Sequence, residues 1–210
     1  MAGQQTGPTF VFVGAYTTRN GRAEGISVYE LDPQTGALAH RHTVAGPVNP
    51  SFLALDPSRR FLYAVSEIQD AEGRSGGGLM AFAIDQTTGG LRLLNQQSSQ
   101  GAGPCHVTVE ATGHYALVAN FQSGSIAMLP IQADGSLAAA SDFVQHVGSS
   151  AHPERQRGPH AHSINPDPTN RFALVADLGL DKVLTYRLDL AEGKLRLHDH
   201  PWAQARAGAG

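Results

Sequence analysis

The chain has 210 residues, 41% of them hydrophobic, with 24 glycines, 12 prolines and a formal net charge of -3, which is enough apolar material for a buried core in a fold rich in turns. The near-neutral balance and the lack of any basic run exclude the electrostatic footprint of a nucleic-acid or anionic-membrane binder. No apolar run approaches the roughly 18 residues needed to span a bilayer, and the opening MAGQQTG has neither the basic nor the apolar region of a secretory signal. A soluble, cytoplasmic protein is expected, and the single cysteine, Cys105, has no internal disulfide partner.

In chain order, β-rich runs of five to seven residues are bounded by Gly, Pro, Asn and Asp, and helical periodicity is nowhere sustained. Three runs come first: Thr9 to Val13, Ile26 to Leu31, and one opening at Gly36-Ala37-Leu38. Three fuller units follow and can be laid over one another. Their first strands are Ser51 to Leu55, Cys105 to Val109 and His162 to Ile164, each ending in an acidic turn at Asp56-Pro57, Glu110-Ala111 or Asp167-Pro168. The second strands begin at Phe61, Tyr115 and Phe172, with spacings of 54 and 57. The third are Leu79 to Ile84, Ile126 to Ile131 and Val183 to Leu188; the fourth open at Gly89-Gly90-Leu91, Gly135-Ser136-Leu137 and Gly193-Lys194-Leu195.

Four short strands per unit of about fifty residues is the pattern of a propeller blade. The expected fold is all-β, a β-propeller of about four blades of four antiparallel strands, in one domain with blades at 9–44, 49–97, 104–146 and 159–200. A β-sandwich is the alternative, disfavoured because the acidic turn, the aromatic and the glycine-leucine opening recur in register. The first blade lacks its first strand, which propellers commonly borrow from the far end of the ring. The stretch Trp202 to Gly210 is expected to be the entry loop of a further blade, so the chain reads as the first part of a larger propeller.

The chemistry concentrates between His152 and Asp181. In such a blade the start of the first strand and the end of the second lie at one mouth of the channel, which gathers Asn49, His106, His160, His162, Glu67, Asn120 and Asp177 on one surface. Aligned from the acidic turns, His162 takes the slot of Cys105, and Ser163 that of His106. The two histidines therefore have opposite parity and can project from adjacent blades into one wedge. Each has a plainer reading: His106 as a structural hydrogen-bonding group, Asp177 as a turn cap, Arg155 and Arg157 as a solvated loop face, and Cys105 as a small buried apolar residue.

The segments NPSFLALDPSRRFLYAVSE, GPCHVTVEATGHYALVANFQSGSI and PERQRGPHAHSINPDPTNRFALVADLGLDKVLTYRLD resemble the lactonase family with a seven-bladed β-propeller. That family includes propeller-type 6-phosphogluconolactonases and 3-carboxy-cis,cis-muconate lactonizing enzymes. The resemblance implies a metal-independent, cofactor-free site at one mouth, with a histidine, arginines and a glutamate around an anionic lactone. It implies a place in the pentose phosphate route, and maps the family's histidine onto the PHAHS segment, His160 and His162.

Opening a lactone requires water to lose a proton as it attacks the carbonyl, and a donor ready for the oxyanion. His160 and His162 are the catalytic candidates. Arg155 and Arg157 are candidates for the substrate's anion; His106, Asn49, Glu67, Asn120 and Asp177 complete the substrate-binding set, with Asp177 or Glu67 able to orient a histidine. Two rivals are a metal site, either zinc on the histidines with nearby carboxylates or an oxygen shell for calcium from Asn49, Glu67, Asn120 and Asp177, and a non-catalytic propeller that binds a protein partner. The residues do not separate a sugar lactone from a muconolactone.

Overall fold

The computed structural model describes residues 7–18, 23–68 and 76–208. Within them the chain forms fifteen strands in four antiparallel sheets. The first sheet has three: β1 (Thr9–Val13), β2 (Gly25–Leu31) and β3 (Leu38–Ala45). The second comprises β4 (Leu53–Leu55), β5 (Phe61–Ser66), β6 (Gly78–Ile84) and β7 (Leu91–Ser98). The third comprises β8 (Pro104–Val109), β9 (Tyr115–Asn120), β10 (Ser125–Pro130) and β11 (Asp142–Gln145). The fourth comprises β12 (Ala161–Pro166), β13 (Phe172–Asp177), β14 (Lys182–Asp189) and β15 (Lys194–Gln204). Each strand pairs with the next in sequence, so each sheet is a meander, as in a propeller blade.

The recurring acidic residue explains how each meander begins. Asp56 Oδ1 accepts the Phe61 amide at 2.7 Å, Glu110 Oε1 accepts those of His114 and Tyr115, and Asp167 Oδ1 accepts those of Arg171 and Phe172. Each carboxylate thereby closes the β4–β5, β8–β9 or β12–β13 turn. The residue three positions on, Arg59, Gly113 or Asn170, takes a left-handed φ of 58°, 77° or 56°. Its amide donates to the acidic residue's carbonyl at 2.8–2.9 Å. Asparagine and glycine tolerate that conformation best.

Alternation along the middle strands then builds three interfaces. Leu62 and Ala64 of β5 pack with Ile26, Met80 and Phe82 toward the first sheet. Their neighbours Tyr63 and Val65 pack with Val107, Ala116, Val118 and Leu129 toward the third. Leu117 and Ala119 face the fourth sheet and meet Ala161, Val175, Leu184 and Tyr186. Each buried Leu or Val contributes about 1.5–3 kcal/mol. A sandwich would bury one face of each sheet; here β5 and β9 are buried on both. Tyr63 adds a hydrogen bond across blades, donating its hydroxyl to the Gly135 carbonyl at 2.9 Å.

Two expectations are corrected. The fourth strand of the third blade does not run from Gly135: Leu137 makes only an isolated bridge to Ile131, and the paired strand is β11. The cause lies in the turn, where the Asp134 carboxylate caps Ser136 and Asn95 of the neighbouring blade takes both backbone groups of Leu137. Nor is Trp202 onward all loop. β15 continues to Gln204, pairing Trp202 with Leu184 and Gln204 with Lys182 beyond a bulge, and the Gly208 amide donates to the Asp181 carboxylate. Residues 209 and 210 lie outside the described residues.

Candidate active site at the mouth of the propeller

Adjacent first strands touch, β4 with β8 and β8 with β12. The starts of β8 and β12 therefore bring the third and fourth blades together at one end of the sheets. In β12 the chain enters through Pro159 and His160 by way of two glycines. A Cβ on Gly179 would lie 2.0 Å from the Gly158 carbonyl oxygen and 2.8 Å from the His160 amide. A Cβ on Gly124, at φ 60°, would lie 2.2 Å from the Pro159 oxygen. Only glycine permits this approach, and it presses the His160 backbone between the ends of β9–β10 and β13–β14.

There the His160 amide donates to Asp177 Oδ1 at 2.8 Å, and its Nδ1 lies 2.9 Å from the Phe121 carbonyl. A carbonyl only accepts, so the His160 proton sits on Nδ1 and Nε2 carries the lone pair. Both candidate imidazoles contact the Phe121 ring. His160 stacks on it at 4.7 Å between centroids, and His162 meets it edge-on at 5.5 Å. His162 is exposed and opens onto a cavity of about 280 Å³ that also includes Ser163, Leu178 and Lys182.

The expected slot equivalence holds, and a bulge produces it. Pro104 pairs with Asn120 and His106 with Ala119, while Ala161 pairs with Asp177 and Ser163 with Ala176; the ladders skip Cys105 and His162. The Cys105 thiol points at the His162 carbonyl, 3.5 Å away, and burial pushes it up to about 12, so it is no nucleophile. His106 packs its ring on Phe52 at 4.4 Å and accepts the Ile164 amide on Nδ1 at 3.4 Å. Its remaining proton is therefore on Nε2. Burial, then the nearby His162, lower its pKa to about 4, so it is a neutral donor at pH 7.

Across the mouth, Glu67 follows β5. Its Oε2 accepts the Tyr16 hydroxyl at 2.8 Å and a very short hydrogen bond from Ser51 Oγ. Burial first, and then Glu67, raise the Tyr16 pKa, so its hydroxyl stays protonated. Three other expected substrate contacts have side-chain polar groups engaged within the protein. Asn49 sits at φ 45°; its Oδ1 accepts the Thr17 and Thr18 amides at 3.0 and 3.1 Å, and its Nδ2 donates to the Glu67 carbonyl. Asn120 is wholly buried, its Nδ2 shared between the Ser99 carbonyl and Ser125.

Asp177 has a fully buried carboxylate: besides the His160 amide, Oδ1 takes that of Leu180, and Oδ2 lies 2.6 Å from His146 Nδ1. Asp177 does orient a histidine, but the histidine is His146. The oxygens of Asn49 and Asp177 that a calcium shell would need are in use within the protein.

Arg155 and Arg157 are exposed on the loop before β12, with Arg157 Nε donating to the Pro153 carbonyl. That loop is anchored by Gln156, whose buried amide donates to the Leu178 carbonyl and to Asp181 Oδ1. Sequence reasoning missed Tyr16, Phe121, Gln122, His146, Gln156 and Lys182. Phe121 and Gln122 had a usable signal, since they directly follow Asn120, at the end of a second strand. Lys182, whose ammonium lies 4.2 Å from the centre of the Trp202 ring, had none.

The family described as lactonase, seven-bladed β-propeller, matches residues 10–210. The chain belongs to that family. It is 38% identical over 177 residues to a 6-phosphogluconolactonase of Bacillus subtilis, covering 84% of this chain and 48% of that protein. It is 28% identical over 201 residues to a 6-phosphogluconolactonase of Formosa agariphila, covering 95% of this chain and 56% of the other. Among solved structures, a periplasmic gluconolactonase of Pseudomonas aeruginosa superposes with a TM-score of 0.86 at 32% identity, over 97% of this chain and 56% of that one. The chain spans about half the length of the curated relatives it matches.

Proposed function

We propose that the protein is a lactone hydrolase acting on a sugar lactone, most closely the 6-phosphogluconolactone that names its relatives. The observation that carries this reading is the histidine pair packed against the Phe121 ring at the mouth. His162 is the general base: it opens onto the cavity, and no protein hydrogen bond among the described residues ties up its ring. Water placed there loses its proton to His162 as its oxygen attacks the ring carbonyl. His160, stacked on Phe121, positions that aromatic ring beside His162. The ring C–O bond then breaks, and the proton passes from His162 to the departing alkoxide, leaving the acid and a hydroxyl.

His106, neutral and protonated on Nε2, is a donor on the adjacent blade suited to the oxyanion. Arg155 and Arg157 supply the positive charge that a phosphate or carboxylate on the substrate needs. Separate His160→Ala and His162→Ala variants, assayed by 6-phosphoglucono-δ-lactone hydrolysis above the spontaneous rate, test the reading. His162→Ala is expected to lose about 10²–10⁴ in kcat, the usual contribution of a general base. Full rates in both variants would remove the histidine pair from the chemistry.

A further inference from the structure

A second cavity, of about 180 Å³, opens at the same mouth and draws on three blades: Tyr16 and Thr18 after β1, Asn49 and Glu67 flanking β4–β5, and Gly103 and Gln122 flanking β8–β9. Among the described lining residues the only charge is the Glu67 carboxylate, and no cation offsets it. Glu67 Oε2 already holds Tyr16 and Ser51, while Oε1 accepts no hydrogen bond from the described residues. Gln122 lies against Gly103, where φ is 62° and a Cβ would come within 2.4 Å of Gln122 Cγ; its side-chain amide makes no protein hydrogen bond among the described residues. Gln122 directly follows Phe121, the ring that both His160 and His162 contact.

This arrangement selects by charge. A carboxylate or phosphate entering would face Glu67 with no cation among the described lining residues to neutralise it. A hydroxyl can donate to Glu67 Oε1 and accept from Gln122 Nε2, and a second can donate to the Tyr16 oxygen, whose own proton is donated to Glu67. We infer that this cavity is a subsite for the hydroxyl-bearing carbons of a neutral polyol ring such as an aldonolactone, with Glu67 and Gln122 determining specificity. The inference rests on the hydrolase reading for the placement of the lactone carbonyl toward His162, and any anionic group of the substrate then lies outside this cavity. An unsaturated dicarboxylic lactone brings the wrong charge and too few hydroxyls.

Calorimetric titration of the protein with δ-gluconolactam, a neutral ring that it cannot hydrolyse, tests the subsite, with malate as the dicarboxylate control. Gln122→Ala and Glu67→Gln are each expected to weaken lactam binding about five- to tenfold, the worth of one or two hydrogen bonds. Glu67→Gln is also expected to admit malate, which the unmodified protein is expected to exclude. Unchanged lactam affinity in both subsite variants, or malate binding as tight as the lactam's, would overturn the inference. The two readings fail separately. Lactam binding through Gln122 without any lactone turnover sinks the hydrolase and keeps the subsite. Turnover with a KM indifferent to Gln122→Ala does the reverse.

Discussion

At the scale of single residues, the buried His146–Asp177 contact decides where His160 stands. Both side chains are essentially inaccessible, at 1% and 0%, and the Asp177 carboxylate takes the His160 amide with its other oxygen. Removing the imidazole strands a buried carboxylate, a change that typically costs about 3–5 kcal/mol. His146→Ala should therefore shift the urea midpoint with an unchanged m-value and lower kcat, because His160 loses its fixed donor geometry. Unaltered stability would mean that the pair contributes nothing.

His106 gives a prediction with a definite sign. Its folded pKa of about 4 lies below the ordinary 6.5. Between those two values the unfolded chain binds the proton and the folded one does not. The contribution to stability is complete above pH 6.5 and is lost as pH falls toward 4. Denaturant titrations of the protein and of His106→Gln should thus diverge in slope between pH 6.5 and 4, the variant losing less stability on acidification. Parallel curves would place His106 in a wetter site than the structure shows.

At the scale of elements, the turns were legible and the contacts between blades were not. The acids Asp56, Glu110 and Asp167 recur at fixed distances before an aromatic, and each closes the turn it announces. Glu110 goes further: its side chain is buried and also accepts the Asn170 amide of the neighbouring blade at 2.7 Å. Glu110→Ala leaves the amides of Thr112, His114 and Tyr115 and the side chain of Asn170 without an acceptor, so a loss of at least about 2 kcal/mol is expected by thermal or chemical melting. A smaller loss than Asp167→Ala, whose side chain is only partly buried, would contradict that account.

His146 lies in an unremarkable QHVG stretch, and its partner is 31 residues away on another sheet. No local pattern encodes such a pairing. The same holds for Tyr16, whose partner Glu67 is 51 residues on. The length of β15 was hidden by its ending, since AQARAGAG lacks the β-branched and aromatic residues that mark a strand.

At the scale of the whole molecule, the sheets share their cores pairwise, each middle strand serving two interfaces. That sharing makes the mouth a composite: Tyr16, Glu67, His106, Phe121 and His160 come from four different sheets or their adjoining loops. The histidines and the acidic cluster were legible as a set because the repeat fixes which strand ends face the same way. Which of them meet substrate was not legible. Asn49, Asn120 and Asp177 resemble Glu67 in sequence position, and only the structure shows that they are buried and bonded within the protein.

The central claim, that His162 acts on the attacking water while His160 positions His162 through the Phe121 ring, is tested most directly by a double-mutant cycle on kcat for 6-phosphoglucono-δ-lactone hydrolysis. Groups that act as a unit are strongly non-additive. His160→Ala/His162→Ala should be no more than a few-fold slower than His162→Ala alone. A double variant slowed by the full product of the two single effects would show that the imidazoles work independently.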